Sequence, residues 1–303
     1  MPFGAGHLHL AIDQHARHVS RGAPTMNKTW MITGCASGLG RALAELVLAK
    51  GDRLVATSRD ISRLQQLKEQ YGDRVELYEL DVTSPEACQG AIDHVISTFG
   101  GLDILVNNSG YARVGPFEQT AADDFRTEID VNFFGVVNTT RAALPLLRKQ
   151  RSGHVINISS SAGRIAAAGT VAYCAAKFAV SGFSEALAKE VGPLGIKVIS
   201  IEPGSLRTNW TSAALATTPA LESDYEPILG PNVQFGKTIV GREPGDPQKC
   251  AAVIFDLSRT DELPHHLILG SDAMKRIDAG ERARSIDAEK WRPVSESVDF
   301  RDT

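Results

Sequence analysis

The chain has 303 residues, a formal net charge of −4 and a pI near 6.1. That length allows one large domain or two small ones. A compact fold of this size buries about 75% of its unfolded surface, so a full core needs no disulfides. The charge gives no electrostatic case for nucleic acid, and no apolar run approaches the roughly 18 residues of a membrane span. Cys35, Cys88, Cys174 and Cys250 are scattered without a C-x-x-C pair. They read as free thiols in a reducing compartment, neither a disulfide framework nor a metal site, so a soluble cytoplasmic protein is expected.

Residues 1–25 hold His7, His9, His15 and His18, four of the eight histidines, and lack the apolar core and cleavage signal of a leader. His15 and His18 can share a helix face, but the stretch reads as a disordered extension, with Met26 a candidate natural start. Strand and helix signals then alternate, which argues a parallel sheet covered on both faces. A strand is predicted at 29–33, a helix at 38–49 stopped at Gly51, a strand at 53–58 and a helix over about 60–71. A strand near 75–80 precedes a helix opened by Thr83-Ser84-Pro85-Glu86, which has capping-box spacing and an early proline. A strand follows at 103–107, then a long helix from Phe125 to about Arg148 that Pro145 bends or ends. A strand at 154–159, a helix at 172–191 and a strand at 197–202 complete the regular part. Segment 205–247 has little periodicity until about Val233. Asp246-Pro247 then leads a helix, and His266–Leu269 reads as a last edge strand. No second core is visible.

Two local patterns carry chemistry. Thr33-Gly34-Cys35-Ala36-Ser37-Gly38-Leu39-Gly40 lies between a strand and a helix. Its glycines let backbone amides approach a pyrophosphate, whose charge the helix N-terminus favours. Tyr173 and Lys177 are four residues apart, hence on one helix face. An ammonium about 5 Å from a phenolate is worth roughly 3 kcal/mol at an effective dielectric near 20. It is expected to draw the tyrosine from about pKa 10 toward about 8.

Together with Asn107-Asn108-Ser109-Gly110, Asn132, Ser160 and Pro203-Gly204, these patterns resemble the short-chain dehydrogenase/reductase family. The likeness covers about residues 28–208 and, more loosely, the remainder. It implies an α/β, Rossmann-type doubly wound parallel sheet in a three-layer α/β/α single domain over 26–280. A substrate lid would lie at about 205–245 and a charged surface tail at 281–303. The implied activity is NAD(P)-dependent oxidoreduction. Tyr173 would be the general acid/base, and Lys177 would lower its pKa and bond the nicotinamide ribose. Ser160, thirteen residues before Tyr173, would polarise the carbonyl, leaving Ser159 and Ser161 as ordinary hydroxyls. Asn132 would hold a relay water on its backbone carbonyl.

The resemblance further implies that Gly34, Ser37, Gly38, Leu39 and Gly40 cradle the cofactor. Asp81, beside Val82, would bond the adenine amine, with helix capping its rival role. Asn107 would close the adenine side and tie adjacent strands, followed by Ser109, where the family usually has alanine, and Gly110. Pro203, Gly204 and Thr208 would flank the nicotinamide. NAD-specific folds place an acid at the end of the second strand. Here Ser58 is followed by Arg59, whose guanidinium can grip a 2′-phosphate. NADP(H) is therefore expected over NAD(H), with two counter-signals: the adjacent Asp60, and Ser37 at a position that is basic in some NADP-dependent relatives.

The substrate walls are expected from Ser109–Phe117, Gly163–Thr170 and 205–245, with Val114, Ala162, Ile165, Ala166, Ala167, Ala168, Leu206 and Trp210 small or apolar. Arg113, Arg164 and Arg207 can face either way. The expected substrate is a hydrophobic secondary alcohol or its carbonyl partner. Gly245-Asp246-Pro247 and Leu269-Gly270-Ser271-Asp272-Ala273 resemble the 17β-hydroxysteroid-dehydrogenase-like subgroup, a name that is no evidence for a steroid. Relatives commonly pair through the helices carrying Asn132 and Tyr173, so a homodimer or homotetramer is expected. The outer face of 172–191 would include Phe178, Ser181, Phe183, Ala186 and Ala188. The rival readings are a non-catalytic dinucleotide-binding regulator and epimerase or dehydratase chemistry.

Overall fold

Seven short segments, most of them apolar, become the strands of one sheet in the computed structural model, which describes residues 27–300. They are β1 (Thr29–Ile32), β2 (Arg53–Ser58), β3 (Val75–Glu79), β4 (Ile104–Asn107), β5 (Gly153–Ile158), β6 (Ile196–Pro203) and β7 (His266–Leu269). All pair in parallel, in the order β3-β2-β1-β4-β5-β6-β7. Successive strand residues point to opposite faces. Trp30 and Ile32, Leu54 and Ala56, and Ile104 and Val106 therefore enter one core, while Met31, Val55 and Leu105 enter the other.

Helices cover both faces. On the first lie α1 (Gly38–Ala49), α2 (Gln65–Tyr71, after a 3-10 turn at Ile61–Leu64) and α9 (Pro247–Leu257). On the second lie α3 (Pro85–Phe99), α5 (Gly135–Gln150) and α6 (Val171–Val191). Asp246 caps α9 by accepting from the Gln248 and Lys249 amides. In α3 the cap is Ser84, which accepts from the Ala87 amide at 3.0 Å, with Pro85 in the first turn. The reciprocal box expected from Thr83 to Glu86 does not form, because the helix is capped one residue later, by Ser84, whose hydroxyl also donates to the Glu86 carboxylate.

The long helix begins earlier than its apolar pattern suggests, as α4 (Ala122–Ile129). It continues through a π turn at Asp130–Phe134 into α5, and Pro145 does not end it. The aperiodic 205–247 segment forms α7 (Trp210–Leu215) and α8 (Glu226–Ile239). The charged tail expected at 281–303 continues a 26-residue helix, α10 (Ser271–Glu296), whose buried residues, Ala273 and Ile277, precede it, while residues 282–300 are exposed. Residues 1–25, with their four histidines, lie outside the described residues. Chain order reverses between β1 and β4, and in open α/β sheets the crevice beyond such a switch point takes ligands.

Candidate active site

The β1–α1 loop is shaped by backbone freedom. Gly34 has φ +74°, and a Cβ on Gly40 would collide with the Gly34 carbonyl and the Asn108 amide. Two residues without an assigned role brace it. The Thr33 hydroxyl accepts from the Asn108 and Ser109 amides, both at 2.9 Å, and Asn108 Nδ2 donates to the Thr33 carbonyl at 2.9 Å. Their signal is their place: Thr33 closes β1 and Asn108 follows β4. Ser109 sits against Gly34, and Thr208 packs beside Gly38, 170 residues upstream in sequence, so the second half of the chain meets the loop. Ser37 is exposed and Leu39 buried at the mouth of α1.

Asn107 is buried. Its Nδ2 donates to Asn157 Oδ1 at 2.7 Å on β5 and to Thr140 Oγ1 at 2.9 Å on α5, tying adjacent strands to the helix. The Asp81 carboxylate accepts from the Thr83 amide and hydroxyl, which hold it below the usual carboxylate range. Val82 is clamped against Gly135, and its carbonyl accepts from Asn138. At the end of β2, Ser58 is buried and Arg59 exposed. The neighbouring Asp60 carboxylate accepts from the Ser62 amide and hydroxyl, capping the 3-10 turn. Pro203-Gly204 ends β6, with the Gly204 amide on the Leu269 carbonyl at 2.8 Å.

Ser160, Tyr173, Lys177 and Asn132 converge beyond β4 and β5. The Ser160 hydroxyl accepts from the Ala162 amide at 3.1 Å and lies within reach of the Tyr173 phenol. Lys177 is buried, donates to the Ile158 carbonyl at 2.9 Å, and stands 5.6 Å from the Tyr173 ring centroid. Asn132 occupies the π turn, a feature frequent at functional sites. Its Nδ2 donates to the Tyr111 carbonyl at 2.8 Å and the Glu128 carbonyl at 2.9 Å. Gly110 makes room for the group: an added Cβ would stand 2.5 Å from Asn132 Oδ1 and 3.5 Å from Lys177 Nζ.

The electrostatics run against the expectation for the pair. Burial pushes the Tyr173 phenol up to about 12, with the Ser160 hydrogen bond opposing, and lowers Lys177 to about 8. The ammonium lies toward the ring face and bonds a carbonyl, so the desolvation of both charged forms outweighs their attraction. At neutral pH the phenol keeps its proton and most Lys177 side chains stay charged.

Neither neighbouring serine is idle. Ser159 bonds the Lys177 carbonyl at 3.1 Å and the Ser181 hydroxyl at 2.9 Å, and Ser161 accepts from Arg276 at 3.1 Å. Ser181 is therefore a core residue, not part of an outer face; Phe178 and Ala186 are exposed. Ala112, Ala214, Val114 and Ala162 pack around Tyr173, and the Trp210 ring lies 5.2 Å from its ring. Ala112 and Ala214 fall within the expected wall segments Ser109–Phe117 and 205–245. Leu206 belongs instead to the core under α1, and Ile165 lies against Gly280 of α10. The three ambiguous arginines turn to protein partners: Arg113 to Asp124 at 2.8 Å, Arg164 to Glu202 and Glu281, and Arg207 to the Glu243 carbonyl at 3.1 Å. Among the described residues no three metal-ligating side chains cluster, and no helix is long and apolar enough to cross a membrane.

The short chain dehydrogenase family model matches residues 28–218. The chain is a short-chain dehydrogenase/reductase. It is 38% identical over 271 residues to an oxidoreductase of Botryotinia fuckeliana, BOA17, covering 89% of this chain and 98% of that protein. A short-chain dehydrogenase from Streptomyces avermitilis superposes with a TM-score of 0.83 at 37% identity, covering 90% of this chain and all of the other. ElxO with NADP bound superposes at 0.67 and 26% identity, covering 80% and 96%. As a member of this family the protein is a nicotinamide-dinucleotide-dependent dehydrogenase/reductase acting on a small molecule. The braced glycine loop at the switch point, with Thr208 beside it, fits such a cofactor.

Proposed function

We propose that this enzyme interconverts a hydrophobic secondary alcohol and its ketone or aldehyde, using NADP(H). The observation that carries this reading is the meeting of Ser160, Tyr173, Lys177 and Asn132 beside the glycine loop, with apolar side chains packed around the Tyr173 ring. The bound dinucleotide supplies or accepts the hydride. Tyr173, protonated at neutral pH, donates its proton to the carbonyl oxygen in reduction and recovers one from the alcohol in the reverse direction. Ser160 donates a second hydrogen bond to that oxygen, which stabilises the charge growing there. Lys177 keeps a positive charge behind the phenol, and Asn132 supports the relay that returns a proton to it.

Two features support an uncharged substrate. The walls around Tyr173 are alanines, Val114 and Trp210, and Arg113, Arg164 and Arg207 are engaged within the protein. Preference for NADP(H) rests on the end of β2. No carboxylate faces a 2′-phosphate from Ser58, Arg59 is exposed to meet it, and Asp60 is committed to its turn. Gly34, Gly38, Leu39 and Gly40 would hold the pyrophosphate, with Ser37 beside the phosphate, Asp81, Val82 and Asn107 toward the adenosine, and Ser109, Gly110, Pro203, Gly204 and Thr208 toward the nicotinamide. Exposed Phe134 and Phe178 on the two long helices support a homo-oligomer, and four buried free thiols a reducing cytoplasm. A monomer in light scattering at micromolar concentration would count against the former.

Fluorescence titration with NADPH and, separately, NADH tests the reading, followed by a panel of aryl and alkyl ketones. NADPH preference with reduction of apolar ketones is expected. NADH preference would remove the role given to Arg59, and binding of neither would remove the catalytic reading.

A further inference from the structure

The Leu269-Gly270-Ser271-Asp272-Ala273 stretch has no part in the hydride and proton transfer proposed above, yet its aspartate sits between two segments given roles there. Asp272 Oδ2 accepts from the Ser205 amide at 3.0 Å, just beyond the Pro203-Gly204 turn. It also accepts from Arg276 Nη2 at 3.1 Å, and the same Nη2 donates to the buried Ser161 hydroxyl at 3.1 Å. An Nη carries two hydrogens, so both bonds form at once. Asp272 Oδ1 fills the space where side chains on Gly204 and Gly270 would stand.

The same helix continues along the serine loop. A Cβ on Gly280 would collide with Ile165, Arg284 Nη1 donates to the Arg164 carbonyl at 2.7 Å, and Glu281 pairs with the Arg164 guanidinium. Asp272, Arg276, Gly280 and Arg284 recur every four residues and so form one stripe on α10. Arg164 reaches Glu202, immediately before Pro203, from the other side. The loop holding Ser160 and the turn at the end of β6 are therefore fixed to one rigid rod, although about forty residues separate them in sequence.

We propose that Asp272 and Arg276 are positioning residues that lock the Ser160 loop to the Pro203-Gly204 turn through the first turns of α10. The proposal rests on the catalytic reading above for its effect on rate and on the geometry alone for its effect on order. Reaction rates are sensitive to displacements of about 1 Å at positioned groups. Loosening the rod should therefore lower turnover more than affinity.

The test uses the full chain and the Arg276→Ala and Asp272→Ala variants, with Arg276→Gln should the alanine variant fail to fold. Amide exchange followed by mass spectrometry should rise at 160–165 in the Arg276 variant and at 203–206 in the Asp272 variant, with β1 and β4 unchanged. With NADPH and the ketone panel, the Arg276 variant should lose about tenfold in kcat, with KM and NADPH affinity within twofold. A Ser161→Ala change added to it should cost nothing further, since both remove one contact. Unchanged exchange at these segments would overturn the proposal. So would kcat within twofold of the parent, whatever happened to Tm. If the parent binds NADPH but reduces no ketone, the catalytic reading fails and the exchange measurement still decides the positioning claim.

Discussion

The Lys177 ammonium stands 5.6 Å from the centre of the Tyr173 ring while its proton is held by the Ile158 carbonyl at 2.9 Å. This arrangement leaves the phenol near 12 and the ammonium near 8. Carbonyl reduction needs the phenol protonated and the positive charge behind it. The rate should therefore hold through neutral pH and fall as pH rises through about 8, where Lys177 loses its charge. A pH profile of kcat/KM measures this. Lys177→Arg keeps its charge at any accessible pH, so whatever activity it retains should lose that limb. A limb unchanged in the arginine variant would assign it elsewhere.

Removing the Tyr173 hydroxyl separates chemistry from binding. Tyr173→Phe should reduce ketone turnover by about 10³-fold, within the range of general acid catalysis. NADPH affinity should change less than threefold, because the ring keeps its packing on Trp210 and Ala112. Ser160→Ala should cost about 10²-fold, the scale of one lost donor to a developing oxyanion. Full turnover in the phenylalanine variant would end the role given to Tyr173.

Arg59→Asp should invert cofactor preference, since a carboxylate repels a 2′-phosphate and accepts from a 2′-hydroxyl. A loss of about tenfold or more in NADPH affinity, with NADH affinity gained, is the expected titration result. The change is exposed and should leave Tm within about 2 °C.

Trp210 is expected to set affinity for bulky apolar substrates. It is partly exposed and faces the Tyr173 ring. In Trp210→Ala, KM for aryl ketones should rise about tenfold, equivalent to roughly 1.4 kcal/mol of lost apolar contact. Small ketones should be little affected. Equal effects on both would show that the indole orders the 205–247 segment without touching substrate.

Glu128 makes stability depend on pH. It is buried one turn before Asn132, and burial raises its carboxyl to about 7, with the Arg113 amide opposing. A raised carboxyl pKa means the folded chain binds the extra proton between about pH 4.5 and 7, so its contribution to stability is lost as pH rises through that window. Glu128→Gln should therefore stabilise the fold by about 2 kcal/mol at pH 8 and by little at pH 5, seen as denaturant midpoints. An equal gain at both values would remove the titration from the account.

The strands, the glycine loop and the order of the reactive residues were legible in the sequence. Their causes are local: a strand buried on both faces must be apolar throughout, a loop with positive φ needs glycine, and Tyr173 and Lys177 share a face by helical spacing alone. Tertiary structure decided what depends on distant partners. Whether the Tyr173–Lys177 pair lowers or raises the phenol depends on burial supplied by Trp210, Ala214 and Ala112, which no spacing records. Ser159 and Ser161 acquire work only when Lys177 and Arg276 arrive beside them, and Leu206 is drawn into the α1 core instead of the cluster around Tyr173. The charged composition of residues 271–296 gave no sign that their helix begins by bonding Ser205. That bond joins residues 67 positions apart in sequence. Local pattern fixes elements and their order, but which face each residue meets, and so its chemistry, is set by what the folded chain packs against it.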